Sequence, residues 1–287
     1  MSFPSIKLPC PAKVNLRLEV LRKRADGYHE IRTIVQRISL SDTLRISLRE
    51  RDGISLISDS PRLPIGEGNL AYRAASSLLE ETKANVGIEL TIRKEIPISS
   101  GLGGGSSNAA STLMGLNRIL RLNLSKKRLM EIGARIGADI PFFILEKTAI
   151  ATGIGEKLQP LEIRPSVWFL LVNPGWEVST KWAYEGLNFE LTKQPFHIKL
   201  PPFFNDIGQV ARVLHNDLES VTIAAYPEIQ GIKGELLSHG AEGSLMTGSG
   251  PTVFGIFSHK GRAKSAYREL SAQYAERRWT VYLAKGI

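Results

Sequence analysis

The stretch Pro97-Ile98-Ser99-Ser100-Gly101-Leu102-Gly103-Gly104-Gly105-Ser106-Ser107-Asn108-Ala109-Ala110 decides how the rest of the chain is read. Residues 87–94 before it alternate, with Ile88, Leu90 and Ile92 on one face. After it, Ala109, Ala110, Leu113, Leu116 and Leu120 recur at helical spacing. The order is therefore strand, glycine-rich turn, helix. Gly101, Gly103, Gly104 and Gly105 let the backbone bend tightly and approach a ligand closely. The first helical turn offers unpaired N–H groups and the positive end of the dipole, with Ser106, Ser107 and Asn108 beside them. Such a turn is an anion site, and a nucleotide phosphate is the anion it suits.

Two other glycine loops are excluded. A Walker A loop ends in Gly-Lys-Ser/Thr, and no lysine stands beside Ser106 or Ser107. A dinucleotide fingerprint needs a third glycine where Ser106 stands, and an acid about twenty residues on, where residues 121–125 have none. The remaining alternative is a flexible turn with a serine cap, which seldom needs four glycines.

The chain has 287 residues and 43% hydrophobic content, enough for one large domain or two modest ones. Its longest apolar run, residues 167–172, is too short to span a bilayer, and residues 1–11 carry no apolar signal region. The single cysteine, Cys10, excludes an internal disulfide and fits a reducing cytoplasm. The five histidines are scattered without zinc spacing. The net charge of +9 favours a polyanionic small substrate. The basic clusters at 22–24, 126–128 and 277–278 are short and free of interleaved aromatics, so nucleic-acid binding is a distant alternative.

Residues 12–21 alternate: Val14, Leu16, Leu18 and Val20 on one face, Lys13, Asn15, Arg17 and Glu19 on the other. The polar face either aims Lys13 and Asn15 at a shared site or is the wet face of an edge strand. Residues 24–30 read as a turn followed by the aromatic pair Tyr28-His29. Strand-like runs at 31–40, 43–48 and 53–57 suggest hairpins in an antiparallel or mixed sheet. Asn69 is placed to cap a helix reaching about residue 81, and Ser125 another ending near Gly137. Asp139, just before Ile140-Pro141, is either an N-cap or a carboxylate held at a site edge. The pattern changes near 162–166, dividing the chain into 1–162 and 163–287. The second part reads as strands with helices on one side, an α+β sandwich. It holds a second glycine-rich turn, Gly243 to Gly250, as hairpin connection or phosphate cover, and a proline-containing loop at 188–204.

Three ordered motifs resemble those of the GHMP kinase family: Pro11-Ala12-Lys13-Val14-Asn15-Leu16, the glycine stretch, and Leu245-Met246-Thr247-Gly248-Ser249-Gly250-Pro251. The resemblance implies an α+β, two-domain fold, with an N-terminal mixed-sheet nucleotide-binding domain, a C-terminal α/β sandwich domain and the active site in the cleft. Residues 24–29, 101–109 and 137–142 resemble the members acting on a cytidine diphosphate-linked methylerythritol. That implies transfer of the ATP γ-phosphate to the 2-hydroxyl of this small molecule, a step in the non-mevalonate route to isoprenoid precursors.

Carried over by position, Lys13 and Asp139 form the catalytic pair. Pro97, Ile98, Ser99, Ser100, Gly101, Leu102, Gly103, Gly104, Gly105, Ser106, Ser107 and Asn108 hold ATP, with Ser107 a candidate ligand for Mg²⁺. Tyr28 and His29 grip the cytosine, Tyr184 forms a second stacking wall, and Asn15 and Thr180 seat the substrate. Ser99 and Ser100 stand where relatives often have more glycine, implying a stiffer loop. A cytoplasmic monomer or homodimer with no membrane or nucleic-acid partner is expected. The rivals are a family member for another alcohol, such as homoserine or a mevalonate derivative, and a catalytically silent binding protein of the same fold.

Overall fold

A computed structural model describes residues 3–188 and 203–287, which form two compact units. Most of the loop expected at 188–204 lies outside the described residues. Two long strands, β1 (Ser5–Lys23) and β2 (His29–Arg49), contribute to both units.

The first unit takes the chain up to Ala12, then Ser41–Ile98 and Gly103–Glu146. It contains β3 (Gly53–Ser58), α1 (Leu70–Thr82), β4 (Gly87–Arg93), α2 (Gly104–Ile119), α3 (Lys126–Ile136) and α4 (Ile140–Leu145). β4 pairs antiparallel with residues 43–49 of β2 and parallel with β3. The sheet is mixed, as expected, but β2 and β3 do not form the hairpin their spacing suggested. β4 lies between them, because helix α1 carries the chain back before the third strand pairs. Asn69 caps α1, its side chain accepting from the N–H of Ala71 at 2.8 Å, and Ser125 caps α3, accepting from Arg128 at 3.1 Å. Ile88, Leu90 and Ile92 of β4 and Ala109, Ala110, Leu113 and Leu116 of α2 are all buried, so both periodicities mark core faces.

The second unit takes Lys13–Leu40, Ser99–Leu102 and the chain from Lys147 onward. Its elements are β5 (Ala149–Gly153), β6 (Lys157–Pro160), β7 (Glu162–Ile163), β8 (Trp168–Asn173), α5 (Thr180–Glu185), β9 (Phe203–Phe204), α6 (Ile207–Val213), β10 (His215–Asn216), α7 (Glu219–Ala225), α8 (Glu228–Ser238), β11 (Gly243–Met246), β12 (Val253–Phe257), α9 (Lys260–Ala275) and β13 (Thr280–Lys285). β5 and β6 pair antiparallel as a hairpin, with Thr152 opposite Lys157 at its turn. A separate antiparallel sheet runs β11-β12-β8-β13. Leu170 and Val172 of β8 pack with Ile229, Ile232 and Leu236 of α8 and Ala263, Ala266 and Leu270 of α9. β11 and β12 pair across the second glycine-rich turn, which is shorter than the 243–250 expected: Gly243–Met246 is strand β11, because it pairs with residues 253–256 of β12.

The polar face of β1 is not the wet face of an edge strand. β10 lies parallel beside β1, with Arg17 opposite His215 and Leu18 opposite Asn216. Lys13, Asn15, Arg17 and Glu19 are only 5%, 4%, 3% and 7% exposed. Four polar residues in succession on a buried face must find partners or cost several kcal/mol each, and those partners define the site.

Candidate active site

Lys13 and its neighbours form one hydrogen-bonded chain. The Lys13 Nζ donates to Asn15 Oδ1 at 2.6 Å, and Asn15 Nδ2 donates to Thr33 Oγ1 at 2.8 Å. The Thr33 hydroxyl donates in turn to the Arg17 carbonyl at 2.5 Å. The Thr247 hydroxyl accepts from the Asn15 backbone N–H at 2.9 Å and donates to Asn15 Oδ1 at 3.3 Å. The backbone N–H of Lys13 donates to the Leu102 carbonyl at 2.9 Å. Three motifs far apart in sequence thus meet at Lys13 and Asn15.

Further along the same face, Glu19 takes a bond from Arg17 Nη2 at 2.6 Å and another from Arg32 Nε at 2.5 Å. Burial pushes the Glu19 carboxyl up, but the bonds from Arg32 and Arg17 outweigh it and hold the group below the usual carboxylate range. Glu19 is thus matched by two arginines, while the Arg17 Nε is buried without a hydrogen-bond partner among the described residues.

Of the four glycines in the stretch, Gly101 (φ 78°) and Gly103 (φ 70°) use left-handed backbone, and α2 begins at Gly104. Gly101 is also needed for space: a Cβ there would stand 2.3 Å from the Thr247 carbonyl oxygen. Ser99 adopts a left-handed φ of 54° without being glycine, a strained conformation for a residue with a Cβ. Gly103 caps α2 with no side-chain hydrogen bond, so no side chain of the cap occupies the first-turn N–H groups. The Ser107 Oγ is buried and has no hydrogen-bond partner among the described residues. An orphaned buried hydroxyl costs about 1–3 kcal/mol, and a bound phosphate oxygen or a hard cation such as Mg²⁺ would relieve it. The residues present therefore fit an ATP–metal group. The Asn108 side chain is used within the fold, donating to Asp42 at 3.0 Å.

Asp139 precedes α4 in helical conformation, and its side chain makes no capping hydrogen bond. The capping reading fails because a cap residue needs extended backbone to turn its oxygen onto the helix N–H groups. Tyr28 is 60% exposed. His29 stacks on Tyr184, with centroids 5.1 Å apart and planes at 29°. Burial, and then the nearby Lys23 charge, lower the His29 imidazole below its ordinary value, so the ring is neutral at pH 7. The Thr180 hydroxyl lies 3.1 Å from that of Ser249 in the second glycine-rich turn.

The chain matches the GHMP kinases N terminal domain over residues 69–147 and the GHMP kinases C terminal domain over 198–276. It is 49% identical to the 4-diphosphocytidyl-2-C-methyl-D-erythritol kinase of Geobacter sulfurreducens, covering 93% of this chain and 95% of that one. It is 48% identical to the enzyme of the same name from Syntrophus aciditrophicus, covering 98% and 99%. A solved 4-(cytidine 5'-diphospho)-2C-methyl-D-erythritol kinase superposes with a TM-score of 0.78 at 32% identity, covering 98% and 100%.

The chain belongs to the GHMP kinase family.

It has the two-domain, mixed α+β fold of that family, and it is a phosphotransferase with ATP as donor and an alcohol on a small molecule as acceptor. No described helix is long and apolar enough to cross a membrane. Three residues of this GHMP kinase escape a reading of the sequence: Thr33, which carries Asn15; Asn216, which holds the second glycine-rich turn; and Asp42. Only Asp42 left a signal. Leu40, Asp42, Leu44 and Ile46 share one parity in β2, so a carboxylate occupies a position where an apolar residue is expected.

Proposed function

We propose that the chain transfers the γ-phosphate of ATP to the 2-hydroxyl of 4-diphosphocytidyl-2-C-methyl-D-erythritol, a step in the non-mevalonate route to isoprenoid precursors. The observation that carries this reading is the 48–49% identity, over nearly the whole chain, to curated kinases bearing that substrate's name. The neutral His29 ring stacked on Tyr184, with Tyr28 open beside it in sequence, supports a base-bearing substrate.

Phosphoryl transfer needs positioning and charge stabilisation more than covalent chemistry. The N–H groups of the loop and of the first turn of α2 take the phosphate oxygens, and Ser107 is the candidate ligand for Mg²⁺. When bound, that ion neutralises phosphate charge. Asp139 takes the proton of the 2-hydroxyl, and Lys13, held by Asn15, favours negative charge on its oxygen. A nearby cation weakens a carboxylate as a base, so the pair works through a loose transition state in which the proton leaves late. Asn15 and Thr180 seat the alcohol. The domain division is proposed at 162/163, supported by family matches that fall on either side of it. A cytoplasmic monomer or homodimer completes the reading.

The deciding experiment is ADP release with a panel of alcohols. Turnover is expected with the cytidine-linked substrate and not with homoserine or mevalonate derivatives. Turnover with one of those instead would replace the substrate, and no turnover with any would favour a silent binding protein.

A further inference from the structure

We propose that Asp42 is a positioning residue for the glycine loop: its carboxylate fastens the segment leading into the loop and, through Asn108, the start of the second turn of the helix that follows. This deepens, and rests on, the reading of the loop as the ATP site.

Asp42 is fully buried in the first unit. Its Oδ1 accepts from the backbone N–H groups of Glu95 and Ile96, both at 2.8 Å. Its Oδ2 accepts from Asn108 Nδ2 at 3.0 Å and from the Lys94 ammonium. Residues 94–96 stand immediately before Pro97, and Asn108 lies in the second turn's reach of the α2 start at Gly104. One side chain thus ties together three segments, with the loop spanning the gap between two of them.

The chemistry selects an ionised carboxylate. It has about four acceptor sites and no donor, and here it meets four donors. An amide of the same shape would turn an NH₂ toward at least one of them. Burying the charge alone would cost several kcal/mol, and Lys94 offsets it. The pair adds no net charge beside a site meant for phosphate, so its contribution is to geometry. The Lys94 Nζ also lies 3.1 Å from where a Cβ on Gly104 would stand, which leaves the start of α2 packed against the same pair. An apolar residue at position 42 would fill the core equally well, as Leu44 and Ile46 do on the same face, but would leave the N–H groups of Glu95 and Ile96 without their acceptor.

Phosphoryl transfer is sensitive to placement, and a displacement of about 1 Å can cost on the order of 10²-fold. The test is Asp42→Asn, with folding checked by circular dichroism. The KM and Kd for ATP are expected to rise about tenfold or more, while the KM for the cytidine-linked alcohol stays unchanged. A folded variant with lower thermal stability but an unchanged ATP Kd would reduce Asp42 to a core residue and overturn the proposal. Hydrogen exchange on the unliganded wild-type protein decides the matter should the variant not fold. The Glu95 and Ile96 amides are expected to be protected without nucleotide; free exchange there would overturn the proposal. A wild-type chain that binds no ATP would instead sink the nucleotide reading, leaving the amide protection to be read separately.

Discussion

The two glycine-rich turns are held in place by different means. The segments flanking the first, at 97–108, converge on one buried carboxylate, Asp42. The second, at 246–250, is held by several residues of β10 and α7. Asn216 Nδ2 donates to the carbonyls of Met246 and Gly248, both at 2.8 Å; Glu219 accepts from the Met246 N–H at 2.8 Å; Thr222 donates to the Ser249 carbonyl at 3.4 Å. A turn with a shared anchor fails when that anchor is changed. A turn with distributed anchors loses them one at a time, and contributions from groups in one network need not add. The difference suits the roles proposed for them: the first turn would present N–H groups to a polyanion in one geometry, whereas the second backs Asn15 through the Thr247 hydroxyl.

The largest effect is expected from a change that touches neither anchor and so sets the scale. Asp139→Asn should lower turnover by about 10²- to 10⁴-fold with ATP binding intact; near-normal turnover would remove Asp139 from the base role. Next is Gly101→Ala, where the new Cβ meets a carbonyl oxygen at 2.3 Å in left-handed backbone. ATP binding should be lost or weakened by more than tenfold in titrations, and Gly250→Ala should be milder. At Gly250 the obstacle is the flexible Met246 Sδ, although its φ of 86° is strained too. Normal ATP affinity in Gly101→Ala would show that the first turn tolerates what the second does.

Distributed anchoring is tested by thermal denaturation of Asn216→Asp and Thr222→Val. The first leaves two buried carbonyls without a donor and should cost on the order of 2–4 kcal/mol; the second removes one long bond and should cost about 1 kcal/mol or less. Equal losses would mean that the second turn, too, hangs on one contact network. The smallest effect is expected from pH. Because the His29 pKa is lowered, its ring stays neutral as pH falls to the ordinary histidine value of about 6.5. The unfolded chain takes up that proton first, so the residue's contribution to stability is lost as pH drops from the ordinary value toward the lowered one. The KM for the cytidine-linked substrate should be flat from about pH 8 to 6.5 and rise only below. A KM that already climbs between about pH 8 and 6.5 would contradict a neutral histidine at the base.

The helices were legible because their signals are local. Asn69 and Ser125 cap α1 and α3 as their types and positions suggest, and the apolar spacing after the glycines marks the buried face of α2. The sequence pattern predicts two strands, 31–40 and 43–48, because Ser41 and Asp42 interrupt the apolar run, whereas β2 is one strand from His29 to Arg49. The interruption was the position of a buried charge whose partners lie more than fifty residues away. The polar face of β1 failed in the same way, since a Lys-Asn-Arg-Glu row looks solvated until β10 and the 246–250 turn are placed against it.

The amino-acid order alone determined the strand–turn–helix around the glycines, the helix boundaries and the family motifs, because propensity, capping and periodicity act over a few residues. Only the tertiary structure decided that Lys13 is held by Asn15, that Glu19 is matched by two arginines and that Asp42 fastens the loop's flanks. Partners for buried charges are chosen by what the fold brings within about 3 Å, and no local pattern encodes that distance.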